Sequence, residues 1–305
     1  MAASRRSQGE DFAGKGRQMI GDLSVVTPSY HGDLERCRLL CDTMDRFCTG
    51  HARHFIVVDD ADYGLFAPLA GPKREVIATS ALLPHFWTAG HWRGRRYLWR
   101  PGLGLPIYGW HLQQLRKFAV TLSQPAERVI CIDSDICFCR PADLSGLATA
   151  NRVPLFTRRR AITSDQLRHV RWRDNAHKAL GLVTPPLPGD DYIGPMITWD
   201  RTTVRAMADR IEAVNGRPWW QVLARQRHFS EYLTYGAAVS NDPVLEDRHE
   251  RVETSPCLTY WSGPALDERG VSALIGQMRP DQFGLTIQSH TQTSVATIRA
   301  ALLRG

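Results

Sequence analysis

The sequence predicts an α/β protein built on one largely parallel sheet with helices on both faces. Three observations carry this reading. Short apolar runs rich in β-branched residues recur at 22–30, 54–62, 74–83 and 127–138, and a helical pattern at 32–48 separates the first two. These runs are continuous rather than alternating, as expected of strands buried on both sides. Their carboxyl ends carry polar residues: Thr27-Pro28-Ser29, then Asp59 and Asp60, then Asp133 and Asp135. Open α/β sheets bind ligands at that edge.

Taken in order, residues 1–20 are polar and glycine-rich and lack the apolar stretch of a signal peptide. They read as a flexible tail, leaving one domain over 21–305. "DLSVVTPSY" is a buried strand closed by a turn. In "GDLERCRLLCDTMDRFC", Leu34, Cys37, Leu40, Cys41, Met44 and Phe47 fall at helical spacing, with Asp33 placed to cap the N-terminus. "HFIVVDDAD" and "REVIATSALL" give two more strands. Residues 85–110 mix tryptophan, tyrosine, arginine and glycine, the composition of a lid or a platform for sugars. "GWHLQQLRKFAVTL" is a helix with Leu112, Leu115, Phe118 and Ala119 inward, and "ERVICIDSDICF" is the next strand, followed by "RPADLSGL" as a turn and short helix. Beyond it, "RVPLFT", "IGPMITW" and "FGLTIQSH" read as strands. "SDQLRHVRWRDNAHKALG", "TTVRAMADRIEAVN", "HFSEYLTYGAAV" and "TSVATIRAALL" read as helices. No repeat or linker divides the chain.

The net charge of +7 favours anionic partners such as nucleotides, phosphorylated carriers or an acidic membrane surface. Seven cysteines, an odd number with no C-x-x-C pair, indicate neither a disulfide framework nor a zinc ribbon. Cys37 and Cys41 read as small buried residues on a helix face. A reducing compartment fits best. No window approaches eighteen apolar residues, so no membrane span is expected. The expected location is the cytoplasm, with peripheral contact at the inner face of the membrane compatible with the charge.

"VICIDSDICF" raises a sharper question. An unpaired carboxylate beside an apolar strand costs several kcal/mol or shifts its pKa. Two of them, Asp133 and Asp135, make the cost worse unless a cation lies between them. No Walker sequence and no G-x-G-x-x-G follows the first strand. Bound phosphates would therefore be neutralised by a divalent cation and basic side chains. Paired carboxylates are hard oxygen donors that suit Mg²⁺ or Mn²⁺.

Together "SVVTPSY", "HFIVVDDAD", "GWHLQQLRKFAV" and "VICIDSDICF" resemble a nucleotide-sugar-dependent glycosyltransferase of the GT-A fold, over roughly residues 22 to 295. With "FSEYLTYG" and "GLTIQSH", the set is similar to a bacterial family of glycosyltransferase-like proteins whose substrates are mostly unassigned. The resemblance implies a single Rossmann-like domain with a mixed sheet, a nucleotide-sugar donor and a saccharide or glycolipid acceptor of the bacterial surface. It implies Asp135 as the more direct metal ligand and Asp133, with Ser134 between them, near the donor ribose or the metal. Thr27, Pro28 and Asp59 or Asp60 would line the base and ribose, and Gln113, Gln114 and Lys117 would face the donor. A late histidine, here His290, would complete the metal site.

The implied chemistry leaves negative charge on a diphosphate and passes through an oxocarbenium-like sugar. The acceptor hydroxyl needs a base. Candidates are Glu231 in "FSEYLTYG" and Asp190 or Asp191 in "PGDDYIGP"; "SEY" also reads as an N-cap with Ser230, and the aspartate pair as an ordinary turn. Arg158–Arg160 reads as a solvated patch. Alternatives are a metal-dependent nucleotidyl- or phosphotransferase and a non-enzymatic protein that binds nucleic acid or a membrane surface. Arginines interleaved with aromatics suit single-stranded nucleic acid, but no module signature accompanies them.

Overall fold

Val25 and Val26 point to opposite faces of the same strand, and both are fully buried. That requires cover on each side, which explains why the apolar runs do not alternate. The computed structural model describes residues 23–93, 95–147 and 152–304; the predicted tail at 1–20 lies outside the described residues. Its main sheet contains β1 (Leu23–Pro28), β2 (Arg53–Val58), β3 (Arg74–Ala78), β4 (Arg128–Ile132) and β5 (Met196–Asp200), in the order β5-β4-β1-β2-β3. β4, β1, β2 and β3 run parallel, and β5 pairs antiparallel at the edge. The sheet is therefore mixed, in a single α/β body.

Helix α1 (Leu34–Phe47) covers one face, where Leu40 and Met44 pack on Leu23, Val25, Ile130 and Ile132. Helix α2 (Gly109–Ser123) covers the other, where Leu112, Leu115 and Phe118 pack on Val26, Phe55, Val129 and Cys131. Cys37 and Cys41 are buried against Ile56 and Val58, as their spacing predicts. Two further helices matter below: α3 (Leu167–Ala179) and α4 (Glu231–Ser240).

The chain leaves β1 for β2 and β3 on one side and later returns to β4 on the other. The crevice between the carboxyl ends of β1 and β4 is thus a topological switch point, the favoured ligand position of such sheets. Past β4 the chain turns through Asp133 and Asp135 into the short strand Ile136–Phe138. That strand pairs antiparallel with Gly284–Ile287, which runs parallel to Cys257–Tyr260. The expected late strand therefore does return to the acidic edge.

The segment at 85–110 forms a hairpin, Trp87–Trp92 with Arg95–Trp99, joined by Ile107–Tyr108. Sequence reasoning missed the strands Cys257–Tyr260 and His249–Val252 and the helices Trp219–Arg225 and Glu268–Gln277. The two strands are short and interrupted by polar residues, which leaves little periodic signal. Gly236 sits mid-helix in α4 at a position where a Cβ would lie 2.2 Å from the Tyr192 ring. The cost of glycine in a helix is accepted there because nothing larger fits.

Candidate functional site

Asp33 occupies the N-cap position of α1 but makes no capping hydrogen bond with its side chain. Instead its carboxylate accepts a hydrogen bond from the Ser134 hydroxyl at 3.3 Å. The residue expected to start a helix thus belongs to the acidic turn. Asp33, Asp133 and Asp135 form one electrostatic group. Burial raises the Asp33 carboxyl, and Asp133 raises it further. Burial pushes Asp135 up to about 7, with Asp133 and Asp33 adding to the rise. Asp135 Oδ1 is buried without a hydrogen-bond partner. Its backbone carbonyl accepts from Ile287 N at 3.3 Å, which ties the turn to the late strand.

The other half of the turn is held from below. The side chain of Asp133 is 46% exposed, and its Oδ1 lies 2.8 Å from the ammonium of Lys117. Lys117 is buried on α2, where its Nζ also reaches Glu231 Oε1 at 2.9 Å and donates to the Tyr232 hydroxyl at 2.8 Å. Burial alone would push this ammonium's pKa down, but Asp133 and Glu231 hold it well above its ordinary value. Burial raises the Glu231 carboxyl, and Lys117 offsets part of the rise. Glu231 is 4% exposed and its backbone N–H donates to Gln114 Oε1 at 3.1 Å. Ser230 caps α4 by accepting from Leu233 N.

Beside this turn opens a cavity of about 730 Å³, within the size range of small-molecule sites. Its lining includes Tyr30, His31 and Asp33 from the segment after β1, Asp59, Arg96 and Arg116, and Ser289 and His290 from the segment after the late strand. Asp59 is buried between the guanidinium groups of Arg96 and Arg116. Burial pulls Arg116 down to about 9, partly offset by Asp62 and Asp60. Its Nε has no partner. The remaining wall mixes rings and cations: Tyr108, Trp110 and Trp172 with Arg95 and Arg168, and Gln113 of α2 alongside.

The structure redistributes the residues predicted for this site. Asp59, Gln113 and His290 line the large cavity. Asp60 instead lines a neighbouring cavity of about 190 Å³ and binds Ser80. Thr27 does not face a ligand: its hydroxyl meets His54 Nε2 at 3.0 Å on the α1 face of the sheet, and Pro28 is buried without joining the cavity wall. Gln114 and Lys117 are buried on the side of α2 turned away from the cavity, where they support Glu231. Glu231 likewise holds Lys117 and does not border the cavity. Asp191 is buried against Arg158, the Ile193 N–H and His169, and Asp190 bonds Arg160 N and Arg251. Neither aspartate reaches the large cavity. Among the described residues, no three His, Cys, Asp or Glu side chains are preassembled around one metal position. His290 stands on the cavity rim rather than in a finished shell with Asp135. The further contributors are Asp33, Arg96, Arg116 and Trp172; Arg96 falls in the arginine- and aromatic-rich segment 85–110, and Arg116 beside Lys117 inside an apolar helix, whereas Asp33 and Trp172 carried no separate signal.

Fold and site define an α/β protein with a mixed sheet whose acidic group meets, through Asp33, a cavity of guanidinium groups and aromatic rings, while Ser134 and Asp135 themselves line a separate narrow cleft with Arg36 and Ile287. The chain belongs to the family of unknown function designated DUF6492, whose model matches residues 19–304. No curated protein matches it. No helix among the described residues is long and apolar enough to cross a membrane.

Proposed function

We propose that this protein is a GT-A-type glycosyltransferase that moves a sugar from a nucleotide-sugar donor to a saccharide or glycolipid acceptor. The observation that carries the reading is the acidic turn at the switch point, with a buried, unpartnered Asp135 oxygen next to Asp133 and Asp33. An orphaned carboxylate oxygen is expensive unless something fills the place opposite it. Mn²⁺ or Mg²⁺, which prefer oxygen donors, suits this set, with Asp133 and Asp135 as the holders and His290 as a late addition from the rim. When bound, such a cation supplies charge stabilisation for a diphosphate leaving group.

The protein's own side chains would do the rest. Lys117 fixes the direction of Asp133, so the turn keeps its shape with or without ligand. Arg96 and Arg116, locked by Asp59, present guanidinium groups on the wall where phosphate oxygens can be met. Asp33 faces the cavity with its proton affinity raised, which suits it better than Glu231 to take a proton from an acceptor hydroxyl.

Thermal shift with UDP, GDP and CMP, each with and without Mn²⁺, tests this reading. Joint stabilisation by one nucleotide and metal is expected, about 2.7 kcal/mol at a hundredfold excess over Kd. A shift from single-stranded nucleic acid that exceeds every nucleotide, or a nucleotide shift indifferent to metal, would overturn it.

A further inference from the structure

The aromatic wall of the large cavity is a stacked row rather than a scatter of rings. Tyr108 stacks on Trp110 with ring centroids 5.7 Å apart and planes 14° apart. Trp110 stacks in turn on Trp172 at 5.7 Å and 29°. A guanidinium sits at each end: Arg95 lies 5.3 Å from the Tyr108 ring centre, and Arg168 lies 5.8 Å from that of Trp172. The row is assembled from three elements, with Arg95 on the hairpin, Tyr108 and Trp110 at the start of α2, and Arg168 and Trp172 on α3.

These two arginines differ from the other two in the cavity. Arg96 and Arg116 already share the carboxylate of Asp59, and Arg96 also lies 3.6 Å from Asp62. Among the described residues Arg95 and Arg168 have no carboxylate partner and are held only by ring faces. A cation over an aromatic ring keeps its hydrogen-bonding edge free for an anion. We infer that this wall is an acceptor subsite for an acidic saccharide, one carrying at least two carboxylate or phosphate groups along its length. The inference rests on the glycosyltransferase reading and names its acceptor class.

Rings and cations also suit single-stranded nucleic acid, but bases need free ring faces to stack on. Here Trp110 is flanked by Tyr108 and Trp172, so the row offers edges and partial faces to a cavity. A saccharide chain needs no insertion between rings: it can lie along the edges and partial faces of the row while its acidic groups reach the two guanidinium ends.

Titration calorimetry at low ionic strength tests the assignment with a tetrameric oligouronate, a phosphorylated oligosaccharide, a neutral oligosaccharide of equal length and oligo-dT. At least one acidic saccharide should bind roughly tenfold tighter than the neutral one, and the better of the two identifies the acidic group. Arg168→Gln and Arg95→Gln should each weaken it by roughly tenfold, the loss of one charge-assisted contact. Arg171→Gln, on an exposed residue of the same helix outside the cavity wall, removes equal charge and should leave binding unchanged. Equal affinity for acidic and neutral chains, equal losses in all three variants, or tightest binding of oligo-dT would overturn the inference. The stabilisation by nucleotide with Mn²⁺, measured on the same Arg168→Gln protein, should persist. Its presence alongside a failed saccharide titration would sink the acceptor assignment alone, whereas its absence in the wild type would sink the transferase reading.

Discussion

Replacing Asp135 by asparagine removes a titration that the fold resists. In the folded chain this carboxyl gives up its proton near pH 7, and in the unfolded chain near 3.8. Between those values the folded state binds the extra proton, so stability is fullest below the lower value and falls as pH rises to the upper one. At about 1.4 kcal/mol per pH unit, the difference amounts to about 4 kcal/mol in metal-free protein. Asp33 and Glu231, also raised, keep their own contributions of the same sign in both proteins. Urea unfolding in the presence of a chelator, from about pH 4 to pH 8, should therefore show the variant drawing ahead of the wild type. The gap should grow from near zero to about 4 kcal/mol. Mn²⁺ should then close most of it by stabilising only the wild type. A gap that does not change with pH, or a variant less stable at about pH 8, would refute the argument that Asp135 is an uncompensated buried acid.

Asp133→Asn should leave the fold intact and abolish transfer; near-normal turnover at limiting Mn²⁺ would remove Asp133 from the metal site. Lys117→Met strands Glu231 in the interior and should cost about 3–5 kcal/mol in urea unfolding; adding Glu231→Gln should recover part of that loss. Glu231→Gln alone should lower stability while turnover per folded molecule changes by less than about tenfold, against the roughly 10²–10⁴-fold loss expected of a true general base. His290→Ala should raise the Mn²⁺ concentration for half activity by about 10–100-fold, with excess metal restoring part of the rate. An unchanged metal requirement would leave His290 as a rim residue only.

The centre of the fold was legible because its strands are apolar on both faces, and no other element type in a chain of this length explains "VVTP", "FIVV" and "VICI" together. Asp133 and Asp135 were legible for the same reason, as charges that such strands should not carry. Asp33 was not, because an aspartate before an apolar helical pattern has an ordinary use as a cap, and only the fold shows that Ser134 claims it. From sequence alone Lys117 points to a donor contact because its partners are remote: Glu231 lies 114 positions away. Arg116 hid likewise, 57 positions from Asp59. Yet α2 carries apolar residues around most of its circumference, so Gln114, Arg116 and Lys117 had no open face and each needed a buried partner. Arg95, Tyr108 and Trp110 of the stacked row lie in the aromatic segment 85–110 that stands out in the sequence, but its Trp172 end does not, because that ring sits on a helix whose remaining surface is strongly polar.

The pairing of Ile136–Phe138 with Gly284–Ile287 has a consequence for how the protein is made. Cys137 and Leu285 meet across 148 positions of chain, and Arg36 of α1 donates to the carbonyls of Ile287 and Thr293. At ribosomal speeds of about 5–20 residues per second, the acidic turn waits on the order of 10–30 s for the strand that braces it. During that interval Lys117 and Ser134 can already hold Asp133 and Asp33, but the backbone of Asp135 lacks its partner from Ile287. A chain stopped before residue 284 holds all of β1 to β5 but lacks Leu285, Ile287, Ile298 and Ala301 of the cluster behind Asp135, so a nascent or truncated molecule should have its main sheet and no working site.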